Sequence, residues 1–405
     1  MYSSTINKNS KSMWHRRLRH FWLNIHLTIA LVVGFLFVIL GITGSFNIFY
    51  FELEELSLPK VHISANAQMV KLDDIVQTLK SNYPQKTDKW MLLLPSDGSD
   101  YIWAEYSKPP ETADELYAPF YAIFQPYTGE IVDEHYWGKT LWTLVYEVHA
   151  TLLMGKVGAE IGKLFNNIIC FSGLFLFIST LTGLYLWWPH WAKIKQALTI
   201  KRRASVERLY FDLHKTVGFY SSLVLLILAF TGFSFNYADY LKPVIRCFSS
   251  VKADHLKDPD VKSVITENAQ PISVSAALNI ADTVFPDATL RGFVTPDGKE
   301  GVYAIHKMQA GEANHRWARS KVWIDQYSGK VLAIQDPKQF TAGETLLNVL
   351  WPLHSGEAFG FVGRLLWCVT GLAPLVLYVT GIMRWLQKRR VKKHLALGSI
   401  TLITK

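Results

Sequence analysis

The sequence predicts an α-helical membrane bundle of four main transmembrane helices, built as a two-fold internal repeat, with two α+β insertions on one side of the membrane. Three observations predict it. The apolar residues, half of the 405, are gathered into four runs separated by ordinary polar sequence. Two of those runs share one pattern, HLTIALVVGFLFVILGITG from His26 and HKTVGFYSSLVLLILAFTG from His214. Each opens on a histidine and closes on Thr-Gly 18 positions later (44 − 26 and 232 − 214). At 1.5 Å per residue each is about 27 Å long, close to the hydrocarbon thickness of a bilayer. The third observation is a second match at a constant offset of 200: YAIFQPYTGEIV from Tyr121 and KVWIDQYSGKVL from Lys321 (321 − 121). The repeat therefore includes the polar insertions.

The formal charge of +9 lies mainly in three clusters beside apolar runs: Lys11 to Arg19, Lys193 to Arg203 and Arg384 to Lys393. This is the positive-inside pattern, and it places both termini and the middle loop in the cytoplasm. Nucleic-acid binding is set aside, because the cations flank spans. The first apolar run is too long for a signal-peptide core and has no small-residue cleavage site after it, so it stays as an anchor. Cys170, Cys247 and Cys368 have no metal or redox spacing.

In chain order, residues 1–20 form a basic cytoplasmic tail, with Trp14 and Trp22 suited to the interface, and 21–50 form the first span. Residues 51–136 form the first insertion. It has a helix at Leu72–Leu79, strands at Trp90–Leu94, Tyr101–Tyr106 and Phe120–Phe124, and a Tyr127-Thr-Gly turn. Residues 137–188 carry an interfacial helix with His149, a redirection at GKVG (Gly155, Gly158), and the second span, which Pro189 ends. A basic loop, 189–210, leads to the third span, 211–240. The second insertion is 241–340, with Asp297-Gly298 matching Asp97-Gly98. The interfacial helix ending at His354 and the fourth span occupy 341–387, and 388–405 is a cytoplasmic tail. His149 and His354 are each followed by glycine at +6 and +9, and the spans after them both end in Thr-Gly, at Thr182-Gly183 and Thr380-Gly381. The first copy has seven more residues between those marks.

Four histidines carry the chemistry. His26 lies seven residues beyond Arg19, and His214 six beyond Arg208, which buries both rings about 10 Å into the cytoplasmic leaflet. Ionisable rings at such depth need each other or a shared partner. A parallel repeat around an axis along the membrane normal sets equivalent residues face to face. His26 then pairs with His214 on the cytoplasmic side, and His149 with His354 on the outer side, at two depths less than the ~30 Å hydrocarbon core apart. Two axial imidazoles from different helices suit a six-coordinate haem, and two such pairs suggest an electron path across the membrane. With no C-x-x-C-H, the haems are expected to be noncovalent, b-type. Zinc is the rival metal, but it wants four ligands in one place, and neither pair has a Cys or carboxylate at ligand spacing. His15, His20 and His190 read as solvated, and His135 has no counterpart at 335.

Haem propionates need cationic partners. Arg364 beside His354 and Lys215 beside His214 are the candidates, with snorkelling to the headgroups as the other reading of Arg364. Gly34, Gly41, Gly173 and Gly371 are expected to permit close helix approach or make room for a flat macrocycle. The stretch NHRWARSKVW places Arg316, Trp317, Arg319 and Lys321 together as a candidate surface for an anionic, partly aromatic chelate, against the plainer reading of a solvated basic strand.

These elements resemble the PepSY-associated transmembrane proteins of bacterial iron uptake. The residues that carry the resemblance are the His-to-Thr-Gly helices at His26 and His214, the LHSGEAFGFVGR stretch from Leu353 to Arg364, the D-x-YSGKVL turn near Tyr327, and the Trp187-Trp188 end of the second span. It covers nearly the whole chain. It implies a bacterial inner-membrane protein with two b-type haems and two periplasmic PepSY-like modules, one that reduces ferric siderophores or other ferric chelates and so releases ferrous iron. In the first copy GKVGAEIGKLF replaces the compact Gly-Arg turn, and Lys156 or Lys163 takes the arginine's place. With no G-x-G-x-x-G or flavin pattern, the electron donor is expected to be a quinol or a separate reductase. The alternative is a PepSY envelope binding or accessory protein without redox activity. A siderophore permease is disfavoured, because four tightly packed aromatic spans leave little room for a substrate pathway.

Overall fold

The computed structural model describes residues 2–61, 68–96, 99–189, 191–201, 203–252, 257–265 and 269–403. Asp97-Gly98 and His190 lie outside the described residues. The chain forms two compact units, one of residues 1–45, 168–236 and 365–405, the other of 46–167 and 237–364. In order the helices are α1 Tyr2–Val32, α2 Gly34–Asn47, α3 Tyr50–Glu55, α4 Leu72–Asn82, α5 Leu141–Thr151, α6 Ala159–Trp187, α7 Ile194–Ala197, α8 Val206–Arg246, α9 Val274–Val284, α10 Ala342–Asn348, α11 Leu350–Ser355, α12 Gly360–Gly371 and α13 Ala373–Ile403.

Among the described residues three helical stretches are long and apolar enough to cross a membrane, and a fourth if the pair Met13–Val32 and Gly34–Asn47, bent by 62°, is one span. The first span is thus not the straight helix its sequence predicts. The bend falls just before Gly34, where an added Cβ would stand 2.7 Å from Cδ2 of the Tyr378 ring. Glycine is there for close packing. In the first unit the small residues hold helices together in pairs. Gly41 and Gly371 bring α2 against α12, where Ser45 Oγ donates to Cys368 O at 2.8 Å. Gly173 of α6 meets α8, an added Cβ standing 2.6 Å from Ala229 O. α2 thus packs on α12 and α6 on α8.

The second unit carries the sheet. Its strands are β1 Trp90–Leu93, β2 Ile102–Tyr106, β3 Phe120–Phe124, β4 Ile131–Tyr136, β5 Thr289–Val294, β6 Val302–Met308, β7 Ser320–Asp325 and β8 Val331–Gln335. The two insertions, read from sequence as two modules, form halves of one antiparallel eight-stranded sheet, ordered β4-β3-β2-β1-β5-β6-β7-β8. The seam is the pairing of Met91, Leu92 and Leu93 with Val294, Phe293 and Gly292. Helices α4 and α9 bury their apolar stripes in a core with Leu92, Ile102, Phe124, Phe293, Ile305 and Ile324. Asp73 of the first half accepts from the Val274 and Ser275 amides at 2.7 and 3.1 Å, occupying donors at the start of α9.

The repeated turns are alike in chemistry. Asp325 Oδ1 accepts from the amides of Tyr327 and Ser328 at 2.9 and 2.8 Å, and Gln125 Oε1 from those of Tyr127 and Thr128 at 2.5 and 2.6 Å. Gly129 and Gly329 then take φ of +73° and +70°, the left-handed region glycine enters without strain. Redirection after the first interfacial helix differs from expectation. Leu152 and Leu153 carry the positive φ (51° and 68°), while Gly155 provides room beside Glu147, Thr151 and Leu116. The second copy turns on glycine, at Gly356 and Gly360 (78° and 63°).

Candidate functional site

In the first unit His26 and His214 face each other with ring centroids 6.4 Å apart and planes at 90°. The facing helices seat each ring in the same way. His26 Nδ1 lies 3.0 Å from Ser179 O and 3.2 Å from Thr182 Oγ1. His214 Nδ1 lies 3.1 Å from Leu377 O and 3.0 Å from Thr380 Oγ1. Both threonine hydroxyls donate to carbonyls of their own helices, Thr182 to Ile178 O at 2.8 Å and Thr380 to Val376 O at 2.6 Å. Ser179 Oγ also lies 3.4 Å from His26 Nδ1, but each Nδ1 has a carbonyl within 3.1 Å, which can only accept, so Nδ1 carries the proton and the lone pair is on Nε2. That is the tautomer of a metal-ligating imidazole fixed by its neighbours. Gly183 and Gly381 leave room for the rings, since an added Cβ would stand 3.2 Å from His26 Cε1 and 3.3 Å from His214 Cε1.

The Thr-Gly pairs, read from sequence as helix ends and packing residues, thus seat the histidines. Their occurrence at matched places in both copies is the signal that could have assigned them.

The rings line a cavity of about 470 Å³, with Gly34, Gly183 and Gly218 among the residues of its wall. Arg19, Lys215, Arg384 and Lys388 line it too. Lys215 Nζ is 3.0 Å from Asp212 Oδ1 and donates to Gln196 O at 2.5 Å. The Arg384 guanidinium lies over Phe211, 4.3 Å from the ring centre.

This donor set fits an axially ligated macrocycle. Rings with centroids 6.4 Å apart leave room for one ion between them. An apolar, glycine-lined cavity with cations on its wall also fits a flat dicarboxylate. Among the described residues no group of three or more His, Cys, Asp or Glu forms a metal cluster, so the donors come in twos, unlike a tetrahedral zinc site.

In the second unit His149, in the last turn of α5, and His354 of α11 repeat the arrangement, with centroids 6.4 Å apart and planes at 60°. A Thr140–Thr143 capping box starts α5. Glu147, two residues before His149, accepts from Trp137 Nε1 at 2.9 Å and Thr151 Oγ1 at 3.1 Å. Arg364 is buried. It donates to Ile48 O at 2.6 Å, pairs with Glu52 at 2.6 Å and lies 4.4 Å from the centre of the Phe49 ring. Its Nε and Glu52 Oε2 have no hydrogen-bond partner among the described residues, polar capacity that a carboxylate and a proton donor would satisfy. Lys156 donates to Glu115 and to Trp137 O, both at 2.5 Å, and Lys163 pairs with Glu160 at 2.6 Å.

The basic stretch after Asn314 divides. Arg316 donates to Glu357 at 2.9 Å with its guanidinium 4.2 Å from the centre of Phe51. Trp317, half-buried, is held by an Asn314 side-chain bond of 2.9 Å to its amide. Lys321 donates to Asp258 at 2.8 Å, and Arg319 is half-buried near it. His15 and His20 are exposed. His135 Nδ1 lies 2.7 Å from Asp133 Oδ2.

A family model described as PepSY-associated TM region matches residues 23–388, nine-tenths of the chain. No curated protein matches it.

Proposed function

The chain belongs to the PepSY-associated TM region family, and from that premise we propose that this membrane protein is a di-haem b oxidoreductase that reduces ferric siderophores or other ferric chelates at the periplasmic face of the bacterial inner membrane. The observation that carries the reading is the pair of facing histidines in each unit, at the same 6.4 Å. His26 and His214 would hold one haem, His149 and His354 the other, with Lys215 and Arg364 toward the propionates. Bound haem supplies reversible one-electron chemistry. The chain's own part is to fix Nδ1–H on Ser179 O and Leu377 O, keep Nε2 unprotonated, and line the cavity with apolar and small side chains. Ferric iron in a hard-oxygen chelate is the substrate. One electron converts it to ferrous iron, which such oxygens hold less tightly, and a quinol or separate reductase supplies that electron. With the termini in the cytoplasm, as the positive-inside pattern predicts, His26 and His214 would hold the haem on the donor side and His149 and His354 the haem on the chelate side.

The test is one-sided reduction in oriented vesicles. The proposal expects ferric-chelate reduction outside when a donor is supplied inside, lost in both His214→Ala and His354→Ala. A small reductant added outside should still reduce the haem kept by His214→Ala. Wild-type rates in His354→Ala would contradict a path through the second pair, and a purified protein with no haem absorption band would instead favour a PepSY envelope accessory protein without redox activity.

A further inference from the structure

The sheet face away from α4 and α9 differs between the two copies at one matched row. In the first copy the cross-strand partners are Glu105 and Tyr121, both buried, with Tyr121 Oη donating to Glu105 Oε2 at 3.0 Å. In the second copy the partners are His306 and Lys321. An acid bonded to a phenol has become an imidazole beside an ammonium, and Arg319, two residues before Lys321, adds a guanidinium.

Asp258 answers this row. Its Oδ1 accepts from Lys321 Nζ at 2.8 Å. Burial pushes its carboxyl up, but Lys321, His306 and Lys89 together hold it below the usual carboxylate range. Among the described residues, the other acid acting on Arg319 is committed to neutral donors. Glu312 accepts from the amides of Gln309 and Arg319, both at 2.9 Å, and from Ser320 Oγ at 2.6 Å.

Two buried nitrogens here lack a hydrogen-bond partner among the described residues, Nε2 of His306, a residue 9% exposed, and Nε of Arg319. Burial, with the charges of Lys321 and Arg319, pushes His306 down to about 3, so the ring is neutral and offers one N–H. Such groups left dry and unbonded cost on the order of 1–3 kcal/mol each, a cost that a ligand bringing oxygens to them would remove. The Lys321 side chain is 12% exposed and that of Asp258 58%. The cations are therefore the fixed inner half of the contact, and the carboxylate is its exchangeable outer half. A pair with one partner that open to water is worth about 0–1 kcal/mol, so a ligand carboxylate can replace it at little cost. Trp323, with its ring centre 5.8 Å from Lys321 Nζ, adds a flat apolar wall.

We propose that His306, Arg319 and Lys321 form an oxyanion-binding subsite that Asp258 fills as an internal surrogate, and that its ligand is a carboxylate arm of an anionic ferric chelate. The identity of the ligand rests on the function proposed above. The anion site rests on the geometry of this row alone.

The test is titration of the full-length detergent-purified protein with citrate and with ferric citrate, followed by calorimetry, with sulfate at matched ionic strength as control. Asp258→Asn should bind citrate at least ~5-fold more tightly than wild type. Arg319→Gln with Lys321→Gln should bind at least ~10-fold more weakly, and sulfate, itself an oxyanion, should compete more weakly than citrate at matched ionic strength. Ferric citrate binding as tightly as citrate or tighter supports the chelate as the source. Unchanged or weaker citrate binding in Asp258→Asn overturns the subsite, as does full binding by the double variant. Haem content of the same samples is read separately: tighter citrate binding by a haem-free Asp258→Asn protein would keep the subsite and remove the redox reading.

Discussion

At the scale of single residues, the account rests on how an imidazole is held. Thr182 and Thr380 each present a hydroxyl oxygen to a histidine Nδ1 while donating their own proton to a helix carbonyl. Thr182→Val with Thr380→Val keeps the shape and removes those acceptors. The expected result is a ~10–100-fold loss of haem affinity for the first pair, with Thr→Ser variants largely restored. Haem retained on titration with a competing apoprotein measures it, and undiminished retention in the double valine variant would remove the threonines from the site. The histidines were legible in the sequence because a repeated His at one depth in an apolar run is costly without a partner. The threonine role was not, because a Thr-Gly pair in a span reads equally as helix packing. Only the contact between helices, 153 and 163 positions from the histidines through Ser179 O and Leu377 O, separates the two readings.

At the scale of elements, strands and turns were read well where their signals are local. The D-x-YSG and Q-x-YTG turns and the apolar runs at 120–124 and 102–106 lie where sequence placed them. The seam between β1 and β5 was not legible. It joins strands 200 positions apart, and neither WMLL nor TLRGFV marks which edge will be covered. Gly292 is the local trace of it, because an added Cβ there would run into Leu92 O. One sheet also implies coupled stability. Asp73 occupies two amides at the start of α9 in the other copy, so Asp73→Ala should destabilise α9 by about 1–2 kcal/mol. Hydrogen exchange at residues 274–276 should rise accordingly, while unchanged protection there would mean that Asp73 adds nothing to the join.

At the scale of the whole molecule, each histidine pair is complete within one compact unit. Loss of one ligand should therefore empty one site and spare the other. His354→Ala and His214→Ala are each expected to keep about half of the haem, and loss of all haem from either would show that the sites are not independent. The three apolar helices long enough to span, with a fourth if the bent pair is one span, were legible in composition. The bend before Gly34 was not, because nothing in the apolar run itself marks it, and the close packing of Gly34 on Tyr378 joins residues far apart in sequence. The most direct measurement is haem per chain in the purified wild-type protein by pyridine haemochrome assay, joined to low-temperature electron paramagnetic resonance of the oxidised form. The account predicts two noncovalent b-type haems per chain, both low-spin with bis-imidazole ligation. One haem or none, or a high-spin five-coordinate signal from either site, would contradict it.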